Sequence, residues 1–176
     1  MQPTLKTADL RQWIRDVPDF PKPGIIFRDV TPLLANGPAF RATVDHLAAP
    51  YRGAVDMVLG IESRGFIFGA AVAYALGAGL AVVRKPGKLP AEKLSAAYDL
   101  EYGSDALEIH RDAFGSPTRV LIVDDLLATG GTASAACELV EKLGGEVVAC
   151  AFVIELTALG GRRRLAPRRV TSLIQY

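Results

Sequence analysis

Residues 120 to 132, Val-Leu-Ile-Val-Asp-Asp-Leu-Leu-Ala-Thr-Gly-Gly-Thr, carry an apolar run into two adjacent carboxylates and then into a turn of small residues. Buried strands seldom end in paired acids, because both must stay solvated or paired. The oxygens of Asp124 and Asp125 only accept hydrogen bonds, which suits the two vicinal hydroxyls of a ribose. Ala128, Thr129, Gly130, Gly131 and Thr132 then put unpaired backbone N–H groups at the start of the following helix, where a phosphate is attracted. The motif is not a nucleotide-triphosphate loop, because Gly130-Gly131 is followed by Thr132 with no lysine, and no G-x-G-x-x-G is present.

Three further segments carry side chains of use to such a ligand. Glu62-Ser63-Arg64-Gly65 joins N–H groups to a guanidinium: Arg64 has the planar donor array that grips phosphate oxygens, and Gly65 allows close backbone approach at a helix start. A diphosphate suits that combination; a surface ion pair between Glu62 and Arg64 is the competing reading. The stretch from Arg84 to Pro90 is basic and lacks apolar periodicity, so Arg84, Lys85 and Lys88 can close over a polyanion and exclude water, a solvated hairpin arm being the alternative. Phe20 to Pro32 reads as an extended segment with an aromatic face. Phe27 can stack on a planar base while the backbone at Ile26 and Arg28 pairs with its edge, against the alternative of a core phenylalanine in a strand.

The elements that must position these segments alternate between apolar strands and amphipathic helices, which predicts an α/β fold. Leu10, Trp13, Ile14 and Val17 recur at helical spacing, so residues 1–18 read as a short N-terminal helix ended by Pro18, Pro21 and Pro23. Phe40, Val44, Leu47 and Tyr51 repeat that spacing in a second helix. One βαβ unit follows: strand 55–61, a small-residue helix 65–76 and strand 80–83. A second comprises strand 120–123, a helix over about 132–143 that stops at Gly144-Gly145, and strand 146–154. Parallel strands with helical crossovers bind ligands beyond their carboxyl ends, where both candidate loops fall. Residues 85–95 form the one irregular stretch, and there is no repeat or low-complexity tract.

Composition narrows the class. A chain of 176 residues, 50% hydrophobic, fits one globular domain spanning 1–176. A net charge of +1 argues against general attraction to nucleic acid or acidic membranes. Cys137 and Cys150, on a helix and a strand without C-x-x-C spacing, read as buried reduced thiols, which points to the cytoplasm. The first twenty residues hold no apolar core for export, and no stretch approaches the ~20 residues of a membrane span, so no membrane partner is expected.

The 120–132 string resembles the phosphoribosyl-diphosphate (PRPP) signature of type I phosphoribosyltransferases. Arg84 to Pro90, then Tyr98-Asp-Leu-Glu-Tyr-Gly and Leu107-Glu-Ile-His, is similar to the catalytic hood of the adenine phosphoribosyltransferases, and Phe20 to Pro32 is similar to their base-binding segment. The resemblance runs from Asp19 to Tyr176 without an obvious large insertion. It implies a parallel-sheet type I phosphoribosyltransferase fold, with a flexible hood loop and strand over 84–103 and a non-proline cis peptide in the 62–65 loop. The implied reaction joins adenine to PRPP and yields AMP and diphosphate, in purine salvage.

The resemblance also implies roles. Phe27 stacks on adenine, main-chain atoms of Ile26 and Arg28 read its amino-bearing edge, and Leu156 closes the far side. Ser63, Arg64, Arg84, Lys85 and Lys88 belong to the PRPP and diphosphate site, with Arg64 also counted as catalytic. Asp124 and Asp125 take the ribose hydroxyls, and 128–132 the 5-phosphate. Glu101 faces adenine N7 and accepts its proton; without the flanking match it would read as a solvent-facing strand glutamate. Relatives that take 6-oxopurines use a late lysine, whereas the last lysine here is Lys142, which favours adenine. Magnesium is expected to arrive bridging substrate oxygens rather than in a dedicated protein site, the alternative being direct ligation by Asp124 and Asp125. A homodimer is expected from the resemblance. A regulatory PRPP sensor is the runner-up, kept open by the basic cluster Arg162, Arg163, Arg164, Arg168 and Arg169, although such a run is usually a solvated face and nucleic acid is not the expected partner.

Overall fold

The structure is a computed structural model that describes residues 5–99 and 104–176. Its centre is a five-stranded sheet of order β4-β3-β7-β8-β9: β3 (Met57–Ile61), β4 (Gly79–Val83), β7 (Thr118–Leu127), β8 (Gly145–Glu155) and β9 (Val170–Gln175). All four ladders are parallel, as the βαβ pattern requires. From β3 the chain moves outward to β4, then returns to β3's other side at β7 and continues to β8 and β9. That reversal is a topological switch point, where the loops leaving β3 and β7 diverge around a crevice at the carboxyl edge.

Burial on both faces explains the apolar strands. In β7, Leu121 and Val123 face one core with Phe68, Val72 and Leu47, while Val120 and Ile122 face the other with Ala136, Leu139 and Val140. The first core is covered by α3 (Gly37–Ala48) and α4 (Gly65–Leu76), preceded by the short helices α1 (Thr7–Leu10) and α2 (Thr31–Ala35). The second is covered by α5 (Gly131–Lys142) and by an antiparallel hairpin, β5 (Lys93–Asp99) with β6 (Ser104–His110). Helix α6 (Gly161–Leu165) lies between β8 and β9 in the chain.

Three elements differ from expectation. The N-terminal helix stops at Leu10 with a 3-10 turn at Arg11–Trp13; Arg15–Pro18 is instead a strand, β1, paired antiparallel with β2 (Ile26–Asp29), Val17 opposite Phe27. Cross-strand ion pairs, Arg15 with Asp29 at 2.8 Å and Asp16 with Arg28, give that segment a ladder that local periodicity does not disclose. Strand β7 also runs past Val123 to Leu127, because β8 continues to pair with it there, Asp124 beside Phe152 and Leu126 beside Ile154. The two acids therefore sit on extended backbone inside a sheet, not on a loop. In the hood, regular strand begins at Lys93, so the irregular stretch is shorter than 85–95.

Candidate active site

Gly60 of β3 pairs with Val123 of β7, the last pair between these two strands, so Glu62 and Asp124 follow at the same edge of the sheet. The Glu62–Ser63 peptide is cis, and α4 begins at Gly65. Only glycine fits there: a Cβ on Gly65 would lie 2.7 Å from Asp124 Oδ1 and 2.9 Å from the Val123 carbonyl oxygen. The close approach brings Arg64 to Asp125, and Arg64 Nε donates to Asp125 Oδ2. Glu62 does not pair with Arg64; it accepts from Arg84 at 3.2 and 3.3 Å and from the Lys85 backbone N–H at 2.8 Å. Partial burial opposes the charge on Arg64, but Asp125 beside it raises its pKa above the ordinary value. Withdrawal from water and the neighbouring Asp125 charge push the Asp124 carboxyl well above the usual carboxylate range.

The turn beyond Asp125 is shaped for an anion. Gly130 adopts φ 81°, and a Cβ there would lie 2.8 Å from the Gly161 carbonyl oxygen, so conformation and space both demand glycine. The first helical bond of α5 runs from the Ser134 N–H to the Gly130 carbonyl at 2.9 Å, leaving the N–H groups of Gly131, Thr132 and Ala133 ahead of the ladder.

The hairpin contributes a group the sequence reading missed. Tyr98 and Asp105 are cross-strand partners, and the Tyr98 hydroxyl donates to Asp105 Oδ2 at 3.2 Å. Lys85 Nζ lies 3.1 Å from the same oxygen. The Ala106 N–H and the Lys85 ammonium hold Asp105 below the ordinary carboxylate range, and Asp105 in turn raises Lys85. Burial pushes the Tyr98 phenol up. Tyr98 and Asp105 lie apart in the chain, and only the cross-strand register brings them together.

One cleft of about 380 Å³ collects these groups. Of the residues singled out from the sequence, Ser63, Arg64, Lys85, Asp124, Asp125 and 128–132 line it, joined by Glu62, Tyr98 and Asp105. Arg84 and Lys88 are not among its lining; Arg84 is held by Glu62 and by the Lys88 carbonyl oxygen at 3.3 Å. Phe27 stands next to the cleft, its ring centroid 5.4 Å from the Arg64 guanidinium. Ile26 is half exposed beside it, and the Arg28 side chain turns away to Asp16 and Tyr176. Leu156 is tied to the cleft floor by its N–H, which donates to the Leu127 carbonyl at 2.9 Å. Glu101 lies outside the described residues. No three His, Cys, Asp or Glu side chains among the described residues converge as a metal cage; Asp124 and Asp125 are adjacent carboxylates in the cleft.

Residues 33–175 match the model of the phosphoribosyl transferase domain. Over 169 residues the chain is 62% identical to the adenine phosphoribosyltransferase of Solibacter usitatus, a match covering 96% of this chain and 98% of that one. The chain belongs to the adenine phosphoribosyltransferase family. The family's solved structures superpose closely. That of the Thermoanaerobacter pseudethanolicus adenine phosphoribosyltransferase has a TM-score of 0.94 at 51% identity, covering 97% of this chain and all of that one (100%). The Saccharomyces cerevisiae adenine phosphoribosyltransferase, solved with an imino-altritol bisphosphate and adenine, has a TM-score of 0.90 at 42% identity, covering 95% and 97%. The basic cluster of this family member is largely engaged internally: Arg162 pairs with Glu155 at 2.6 Å, Arg168 with Glu141 at 2.6 Å, and Arg169 lies 5.4 Å from the Tyr51 ring.

Proposed function

We infer that this chain transfers the phosphoribosyl group of PRPP to adenine, forming AMP and diphosphate as a step of purine salvage. The observation that carries the reading is the meeting in one cleft of the paired acids, the phosphate turn and a guanidinium, in a chain of this family. As diphosphate leaves, the ribose carbon gains oxocarbenium character, so the site must steady a developing cation and a departing polyanion. Asp124 and Asp125 hold the ribose hydroxyls and place negative charge beside that carbon. The N–H groups of 128–132 hold the 5-phosphate. Ser63, Arg64 and Lys85 receive the diphosphate, while Arg84 and Lys88 add positive charge from behind.

Adenine stacks on Phe27, reads against the backbone of Ile26 and Arg28, and meets Leu156 on its other side. The 6-amino group needs acceptors, which backbone carbonyls supply. Glu101 takes the proton from N7 as N9 attacks. The donor set would suit Mg²⁺ carried in with PRPP: Asp124 and Asp125 would help hold it together with the substrate, and the ion would supply positive charge to balance the leaving diphosphate.

The protein acts as a homodimer in the cytoplasm. Helix α4 is apolar nearly all round, and Ile67, Tyr74 and, on edge strand β4, Leu80 are 43%, 91% and 44% exposed, a face that a second copy would cover. Cys137 and Cys150, free and fully buried with sulfurs 3.6 Å apart, accord with a reducing compartment. Among the described residues no helix is long and apolar enough to cross a membrane.

The deciding experiment follows diphosphate release from PRPP and Mg²⁺ with adenine, hypoxanthine, guanine or no base, identifying each nucleotide. AMP formed with adenine alone is expected. Equal turnover of hypoxanthine or guanine would remove the base assignment, and PRPP binding without any nucleotide product would favour a sensor.

A further inference from the structure

The ring of Tyr176 is held between two guanidinium groups, Arg11 at 4.1 Å and Arg28 at 3.8 Å from its centroid. Its backbone is fixed as firmly. The Tyr176 N–H donates to the Glu155 carbonyl at 2.9 Å, and its own carbonyl accepts from the Thr157 N–H at 2.9 Å and the Thr157 hydroxyl at 2.7 Å. Those partners, Glu155 and Thr157, are the two neighbours of Leu156. A single residue therefore grips β2 through its ring and the end of β8 through its backbone.

We propose that Tyr176 is a positioning residue that sets the spacing between the two walls of the base pocket, Ile26–Arg28 on one side and Leu156 on the other. The proposal rests on the reading of those residues as the adenine site. Arg28 cannot hold the spacing by itself. Its Nη1 pairs with Asp16 on the neighbouring strand, which fixes β2 to β1 but to nothing across the pocket, and its Nε is buried without a hydrogen-bond partner. The Tyr176 ring is what stabilises that guanidinium on the far side, and a cation over an aromatic face is favoured most when water is kept away. The Arg28 side chain is only 16% exposed. Leu156 is held from the other direction by its bond to Leu127, next to the phosphate turn. The linking residues Arg28, Tyr176, Glu155 and Thr157 are not among those lining the cleft that collects the PRPP groups, so loss of the linkage should loosen base recognition selectively.

Steady-state kinetics of the full chain test this. Tyr176→Ala should raise KM for adenine about ten-fold while KM for PRPP and kcat stay within about two-fold, and Tyr176→Phe, which keeps the ring face, should restore adenine KM. An adenine KM within about two-fold of the parent, a parallel rise of both KM values, or failure of the phenylalanine to rescue would overturn the proposal. Should Tyr176→Ala not fold by circular dichroism, Tyr176→Leu keeps apolar volume without a ring and is held to the same criteria. Phe27→Ala separates the two readings: an unchanged adenine KM there removes the pocket assignment itself, whereas a raised value with an unaffected Tyr176→Ala removes the brace alone.

Discussion

Arg64 on the loop after β3 donates through Nε to the carboxylate of Asp125 on β7, joining the two segments that flank the switch point. Asp125 is nearly buried, at 5% exposure, whereas Arg64 keeps close to half its side chain in solvent. Arg64 can thus satisfy an inner carboxylate and still present donors to an anion in the cleft.

Removing the guanidinium should therefore cost stability as well as binding. Arg64→Ala leaves Asp125 without its charged donor, a loss of about 1–3 kcal/mol. A lowered urea midpoint with unchanged slope, together with a raised KM for PRPP, is the expected pair of results. Unaltered stability would mean that Asp125 finds another partner.

Asp105 holds both Lys85 and Tyr98. Asp105→Asn keeps the shape and loses the charge, so Lys85 is no longer fixed over the cleft and kcat/KM for PRPP should fall about ten-fold. Combining it with Lys85→Ala in a double-mutant cycle should show strong coupling. Strict additivity of the two effects would show that the pair acts independently.

The raised pKa of Asp124 has two consequences of opposite sign. The native protein holds that proton more tightly than the unfolded chain does, so stability declines as pH rises from the ordinary value of 3.8 through the raised one. At neutral pH an ionised Asp124 is a cost, and Asp124→Asn should raise the melting temperature of the ligand-free protein. Under the proposed role of Asp124 as acceptor for the ribose hydroxyls, catalysis responds in the other direction, because the ionised carboxylate is the better acceptor. The acid limb of kcat/KM for PRPP should therefore set in at higher pH than an ordinary carboxylate gives, and that limb should vanish in Asp124→Asn, whose overall rate is low. A limb at the ordinary carboxylate position would exclude Asp124 as its source.

Gly65→Ala tests the close approach of the loop after β3 to strand β7. The new methyl would collide with a backbone carbonyl as well as with Asp124, so side-chain adjustment alone cannot relieve it. A loss of about 1–3 kcal/mol in thermal or urea unfolding is expected, with turnover reduced more than the stability loss explains. A fully active, equally stable variant would show that the loop is free to move away from β7.

The amino-acid sequence by itself determined the parallel α/β class and the two βαβ units around which the sheet is built, and it marked the carboxylate pair and small-residue turn that line the cleft. Apolar runs of strand length, helical periodicity and a carboxylate pair before small residues are local patterns, readable without knowing what lies opposite. Helix 65–76 was legible to its ends for that reason. Only the tertiary structure decided the partners. Arg15–Pro18 looked helical until β2 lay alongside it, and Asp124 looked like a loop residue until β8 extended the ladder. Asp105 meets Lys85 through hairpin register, and Arg64 prefers Asp125, 61 residues away, to its close neighbour Glu62. Ion pairs, cross-strand contacts and the Arg11–Tyr176–Arg28 stack join groups far apart in the chain, and their energies depend on distance and burial that arise only when the sheet closes.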